Sequence, residues 1–172
     1  MTLAVREASE LPSGGEPVFS FSPDPGSAMR GGLIFEVSPT SRASWRGQVF
    51  GPLEAESSVR LIKVWPESSR FLVISNGVAF LAEADSPSDP LLLPVEPVQS
   101  VTQAHDSSCI IVDFSVLVCV DSEGIRWVND RLLADGFEGI DIQVDRVVGR
   151  AYIPPEGWTE FSIRLRDGHR EV

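Results

Sequence analysis

Three groups of residues in this chain of 172 have types and spacings that suit chemistry. The first is Cys109 and Cys119, with His105 a few positions upstream. If the intervening hairpin turns about Phe114, the thiols face one another at a span that a disulfide can bridge. If the turn is shifted by half a step, they point to opposite faces as two buried free thiols, the reading we prefer. An Asn-Gly turn in a similar stretch upstream favours the shifted register. A zinc site on His105, Cys109 and Cys119 needs a fourth ligand and a closely spaced ligand pair, and neither is present. No metal and no cofactor is therefore expected.

The second group is a set of carboxylates: Asp135, Glu138, Asp141 and Asp145. Paired carboxylates are the machinery of glycoside hydrolysis. Here, however, Asp141, Gln143 and Asp145 alternate with Ile140, Ile142 and Val144, the pattern of a strand with a wet outer face. The patterns GxSxG, HExxH, GxGxxG and the Walker phosphate loop do not occur. His169 stands near the C-terminal end of the sequence without a partner motif. The Asp-rich stretches "DSPSD" and "DSEG" are shorter than a calcium loop and read as solvated turns. No catalytic residue is assigned, and a non-enzyme is expected.

The third group is four tryptophans, Trp45, Trp65, Trp127 and Trp158. Most tryptophans pack into cores, but an exposed one anchors partners or sugars well. Trp158 sits in the insertion "PPEGW", where a loop interrupts a regular pattern and binding residues concentrate. Trp158, Trp65 and Glu156 are the candidate ligand or partner contacts.

These groups sit in a chain of net charge −11 that is 42% hydrophobic and 23% charged. The size and composition suit one globular domain with its own core. The acidic balance excludes a nucleic-acid backbone or an anionic membrane as partner and fits a basic protein. The single lysine, Lys63, against thirteen arginines looks like codon bias. A basic, apolar leader is not visible, nor is a stretch long and apolar enough to span a membrane, so the expected compartment is the cytoplasm.

The elements that position the candidate residues are short strands. Residues 1–30 are rich in Pro and Gly and read as a flexible leader, with "PVFSF" able to add one strand. A single all-β domain is expected over 31–172. Helical periodicity is weak throughout, and the best candidate turn is "VNDRLLADGF", with Leu132, Leu133 and Phe137 along one side.

A self-similarity at 39 residues organises the rest. Val59 aligns with Val98, Ile62 with Val101, and Ser68-Ser69 with Ser107-Ser108. Phe71–Val73 meets Ile110–Val112, and Val78–Leu81 meets Leu117–Val120. A further step of 39 places Phe137 and Ile140 on Val98 and Val101. Units are thus expected near 59–97, 98–136 and 137–170.

In the second unit the strands fall near 98–104, 109–113, 116–121 and 125–130. In the first, Asn76-Gly77 signals a tight hairpin. Its two middle strands are apolar on both faces and so lie between layers. Phe161, Ile163 and Leu165 alternate with Ser162, Arg164 and Arg166, giving the last strand one wet face whose charges discourage edge-to-edge association. Trp45 in "SWRGQVF" marks an earlier, diverged strand.

Asp121, Gly124 and Trp127, following a strand–turn–strand, resemble the signature of β-propeller blades of the pyrroloquinoline-quinone-enzyme type. Each gap is one residue shorter than usual, the first unit keeps only Asp85, and the third keeps Asp167 and Gly168. The resemblance covers about residues 59–170. It implies that Trp127 packs between neighbouring blades and that Gly124 permits a tight turn, without implying the quinone.

The expected fold is all-β, from antiparallel blade-like repeats: a small or irregular propeller, or alternatively a sandwich or barrel. The expected function is non-catalytic binding or scaffolding through an acidic surface and inter-repeat loops. Its partner would be a basic protein, as for the immunity partner of a toxin, and homo-oligomerisation stays open. The alternative is a carbohydrate- or small-ligand-binding module, or a glycoside-active enzyme, using the loop end of the repeats.

Overall fold

The computed structural model describes residues 3–24, 28–54, 57–130 and 132–170. All regular structure among them is β, and none of their segments is a helix long and apolar enough to cross a membrane. The chain divides into two compact units, Met1–Pro97 and Val98–Val172, where one domain over 31–172 was expected.

The first unit holds two four-stranded sheets. One contains β1 (Ala4–Ala8), β2 (Val18–Phe21), β3 (Met29–Ser38) and β4 (Trp45–Pro52), in the order β1-β3-β4-β2. The expected flexible leader is thus built into this sheet. β1 lies antiparallel against β3, and β2 runs beside β4. β2 is the strand that "PVFSF" allowed, whereas β1 was not expected, since its partner β3 lies far along the chain. Of the prolines and glycines between residues 12 and 26, Pro25 and Gly26 lie outside the described residues. β2 and β4 are parallel, a departure from the antiparallel expectation. The long connection through β3 makes that direction possible, whereas a hairpin cannot.

The other sheet contains β5 (Leu61–Val64), β6 (Arg70–Ser75), β7 (Val78–Glu83) and β8 (Ser86–Leu92) in sequential order. β6 and β7 join through Asn76 and Gly77 with φ of 52° and 78°, the doubly positive turn that matches strand twist. The core of this unit is aromatic. Phe35 meets Phe71 at 5.7 Å and Phe21 meets Phe80 at 5.6 Å between ring centroids, so the sheets interlock through tilted rings. Gly47 leaves room for this: a Cβ there would fall 2.3 Å from the Phe35 ring.

The second unit holds β9 (Ser100–Gln103), β10 (Cys109–Val112), β11 (Leu117–Asp121) and β12 (Gly124–Asn129) in one sheet. Its second sheet has three strands, β13 (Phe137–Gln143), β14 (Arg146–Ile153) and β15 (Gly157–Arg164). Ile110, Leu117, Cys119 and Trp127 share one core cluster with Val147, Phe161, Ile163 and Leu165. The wet-faced pattern of the last strand therefore reads correctly, with its apolar residues buried.

No sheet among the described residues closes on itself, so the barrel alternative is corrected. Each sheet keeps two edge strands, and closure would need those edges to pair. The helical turn at "VNDRLLADGF" is corrected as well. Leu132 is buried and Leu133 exposed with φ of 52°, Phe137 opens β13, and Arg131 lies outside the described residues. Val144 also leaves the expected alternation, because it lies in the turn after β13 with φ of 58° and is largely exposed.

Candidate functional site

The cysteines resolve first. Cys109 pairs with Val120 and Cys119 with Ile110, the shifted register, so the two thiols point to opposite faces of the sheet. Neither forms a disulfide, and both are buried. The four-residue loop 113–116 sets this register: the Asp113 carboxylate accepts the Ser115 and Val116 amides, each at 2.6 Å. Burial pushes the Cys119 thiol up to about 11, against the pull of a hydrogen bond with Ser108 and the charge of Arg126. Among the described residues no group of three or more His, Cys, Asp or Glu is arranged to hold a metal.

The Asp-rich turns are occupied locally. Asp121 accepts the amides of Glu123 and Gly124 and the Nε of Arg126. Asp85 accepts the Ser41 hydroxyl. Arg126 also donates to Asp106 at 2.7 Å, so one guanidinium ties two turns together. Burial raises the Asp106 carboxyl, but the Ser108 hydroxyl, Arg126 and the Ser108 amide outweigh it and hold it at about 2.

Trp127 is buried and its Nε1 donates to the carbonyl of Leu165 at 2.7 Å. Its ring covers Gly168, whose φ is 68° and where a Cβ would fall 2.8 Å from the indole. Asn129 Nδ2 donates to the Gly168 carbonyl at 2.9 Å. Asp167 accepts the His169 amide and lies 3.4 Å from both Arg164 and Arg166; these interactions lower its carboxyl. Trp127 and Asn129 thus clasp the chain just past β15, whereas Asp121 and Gly124 bond within their own turn.

Of the three sequence-derived site residues, Trp158 and Glu156 are exposed in the β14–β15 hairpin. Trp65 is 4% exposed and offers no ring face to a ligand. It sits just past β5, and the burial of an aromatic at a strand end depends on distant chain that local pattern does not reveal.

Trp158 does not stand alone. Cross-strand pairing sets it opposite Tyr152, with ring centroids 5.6 Å apart in an edge-to-face arrangement. Arg150 lies over the indole at 5.6 Å and binds Glu138 at 2.5 Å. Tyr152 and Arg150 of β14, the latter held by Glu138 of β13, therefore brace an indole that is still 43% exposed. Sequence reasoning missed Arg150 and Tyr152 and weighed Glu138 only as one of a group of carboxylates, because their grouping near Trp158 depends on the β13–β14–β15 register.

Beside this cluster, the face of the sheet turned away from the core carries an open trough of about 1020 Å³. Arg146, Arg150 and Arg170 line it together with Asp141, Glu160 and Ser162. A bulge between Glu138 and Asp141, with Gly139 at φ of 61°, interrupts β13 beside it. The Ser162 hydroxyl is buried there with no hydrogen-bond partner among the described residues. Asp141 does face outward from its strand, whereas Asp145 belongs to the turn and lies 3.7 Å from Arg146.

No known family model, curated protein or solved structure matches the chain.

Proposed function

We propose that the chain is a non-catalytic binding or scaffold protein, built from blade-like repeats and engaging a basic protein partner. Two regularities support the blade reading. β5 and β9, β6 and β10, and β7 and β11 each start 39 residues apart. In each unit a buried tryptophan on a strand donates to a carbonyl about one repeat onward, Trp45 to Ala84 at 2.9 Å and Trp127 to Leu165 at 2.7 Å.

The single observation that carries the binding reading is the braced, exposed Trp158. An aromatic fixed before contact loses little side-chain entropy on binding, which is the profile of an interface anchor. The net charge of −11 steers a basic partner over long range, while Arg146 and Arg150 of the trough are held by Asp145 and Glu138 of the chain itself. The exposed indole also suits a sugar platform, the second reading. That reading is the weaker one, because Arg150 already covers one part of the ring and Tyr152 another.

A photo-crosslinking amino acid at Glu156, in the full chain expressed in its native cell, tests this proposal. The expected result is a covalent adduct with a basic protein that disappears on Trp158→Ala and on Arg150→Glu. Adducts identical to those from a crosslinker at exposed Leu53, or saturable quenching of Trp158 by a glycan panel, would overturn it.

A further inference from the structure

We propose that the partner of this protein adds an extended segment as a fourth strand along the edge of β15 that no described residue covers beyond Arg170, with a basic residue placed opposite Glu160. This rests on the binding reading above and assigns it a geometry.

The direction of each backbone group in β15 follows from the bonds at its C-terminal end. Arg164 donates its amide to the His169 carbonyl at 2.9 Å and accepts the Gly168 amide at 2.9 Å, both on the side away from β14. Leu165 points the other way, donating to Asp145. Antiparallel pairing alternates these directions residue by residue. Ile163, Phe161, Thr159 and Gly157 therefore bond to β14, and the amides and carbonyls of Trp158 and Glu160 face the open edge.

The C-terminal turn already starts an antiparallel pairing on this edge, with Arg170 opposite Ile163, and the edge continues past it. The sheet has three strands, whereas the other three sheets have four.

Edges exposed by design carry protection, and the two comparable edges do. β8 holds Pro87 and Pro90, which cannot donate to an added strand, and a register shift where it meets β7. β12 joins β11 through a bulge, and its Arg126 is held by Asp106 and Asp121. β15 has no proline and pairs with β14 in unbroken register over all eight residues. Of the charges expected to guard it, Arg164 is already taken into the C-terminal turn and Arg166 lies past the strand, which leaves Glu160 on the open stretch.

The occupant follows from charge. Side chains directly opposite on one face of an antiparallel pair interact, and like charges there repel. In a second copy paired about Glu160, that carboxylate would face its own twin, and each chain carries −11. Glu160 is exposed on the edge strand, so a Lys or Arg of the incoming segment is its complement. The segment's alternate side chains then lie toward Thr159 and Phe161, at the rim of the core, and suit aliphatic residues.

The probe is a capped heptapeptide alternating valine and lysine, added to the full chain while amide exchange is read residue by residue. The expected result is at least tenfold slower exchange at Trp158 and Glu160 on saturation. The same peptide with glutamate for lysine, or with the lysine amides N-methylated, should have no effect. Glu160→Pro removes an amide that β14 does not use. It should keep the melting temperature within a few degrees and abolish the protection. No protection, or equal protection by the glutamate or N-methylated peptides, would overturn strand addition, as would protection arising from self-association without peptide. A crosslink from Glu156 to a basic protein that persists while this edge stays unprotected would remove strand addition and leave the binding reading standing.

Discussion

The indole of Trp127 and the carbonyl of Leu165 are joined by a 2.7 Å hydrogen bond across the two sheets of the second unit. The bond satisfies a buried donor and fixes the chain as it leaves β15, so that Gly168 folds against the ring. Trp45 and Ala84 repeat the arrangement in the first unit. One tryptophan thus does two tasks in each unit, filling the core and holding the chain just past a strand of the second sheet, β7 in the first unit and β15 in the second.

Trp127→Phe keeps most of the ring volume but orphans the Leu165 carbonyl. A cost of about 2–3 kcal/mol is expected from the unpaired buried acceptor and the smaller ring. Gly168→Ala should cost about as much, since its Cβ meets the indole in a left-handed backbone conformation. Urea unfolding followed by far-UV circular dichroism, with Trp45→Phe as a comparison for the first unit, checks both.

The Asn76-Gly77 turn supports a stability test in the first unit. With Gly77 at φ of 78°, Gly77→Ala should destabilise by about 1 kcal/mol, and Asn76→Gly should be near neutral. Thermal unfolding of the three proteins orders them.

Cys119, with a thiol near 11, should stay protonated and unreactive at pH 8 in the native protein. Because the folded value is raised, its contribution to stability is full below the unfolded value and fades only as pH rises through about 11. Alkylation by iodoacetamide at pH 8 should label neither cysteine natively and both in concentrated urea. Rapid native labelling of Cys119 would contradict its burial.

Asp106 titrates the other way. Held at about 2, it contributes stability that is present above its usual value near 3.8 and is lost as pH falls through about 2. Arg126→Gln should return the Asp106 titration toward 3.8 and, since the pair is partly exposed, cost no more than about 1 kcal/mol at pH 7. Carboxyl chemical shifts between pH 1.5 and 5 measure the first effect, and urea midpoints the second.

The strands over 59–130 were legible because their signals are local. Asn76-Gly77 marks a hairpin, Phe71–Ile74 and Ile110–Val112 are apolar without interruption, and Asp-rich turns bound them. β2 was legible as the short strand at "PVFSF", whereas β1 escaped because it is short and gains its stability from β3, far along the sequence. At the site, Trp158 was legible as an exposed loop residue. Its bracing by Arg150 and Tyr152 was not, since it depends on which residue of β14 faces which of β15. The open edge was hidden for a similar reason, because it is a property of how many strands a sheet has.

The most direct test of the site is native-state hydrogen exchange along β15 in the free protein. The structure predicts alternation: slow exchange at Thr159, Phe161 and Ile163, whose amides bond to β14, and fast exchange at Trp158 and Glu160, whose amides face outward. Equal, strong protection at all five positions would contradict the open edge and the binding geometry built on it.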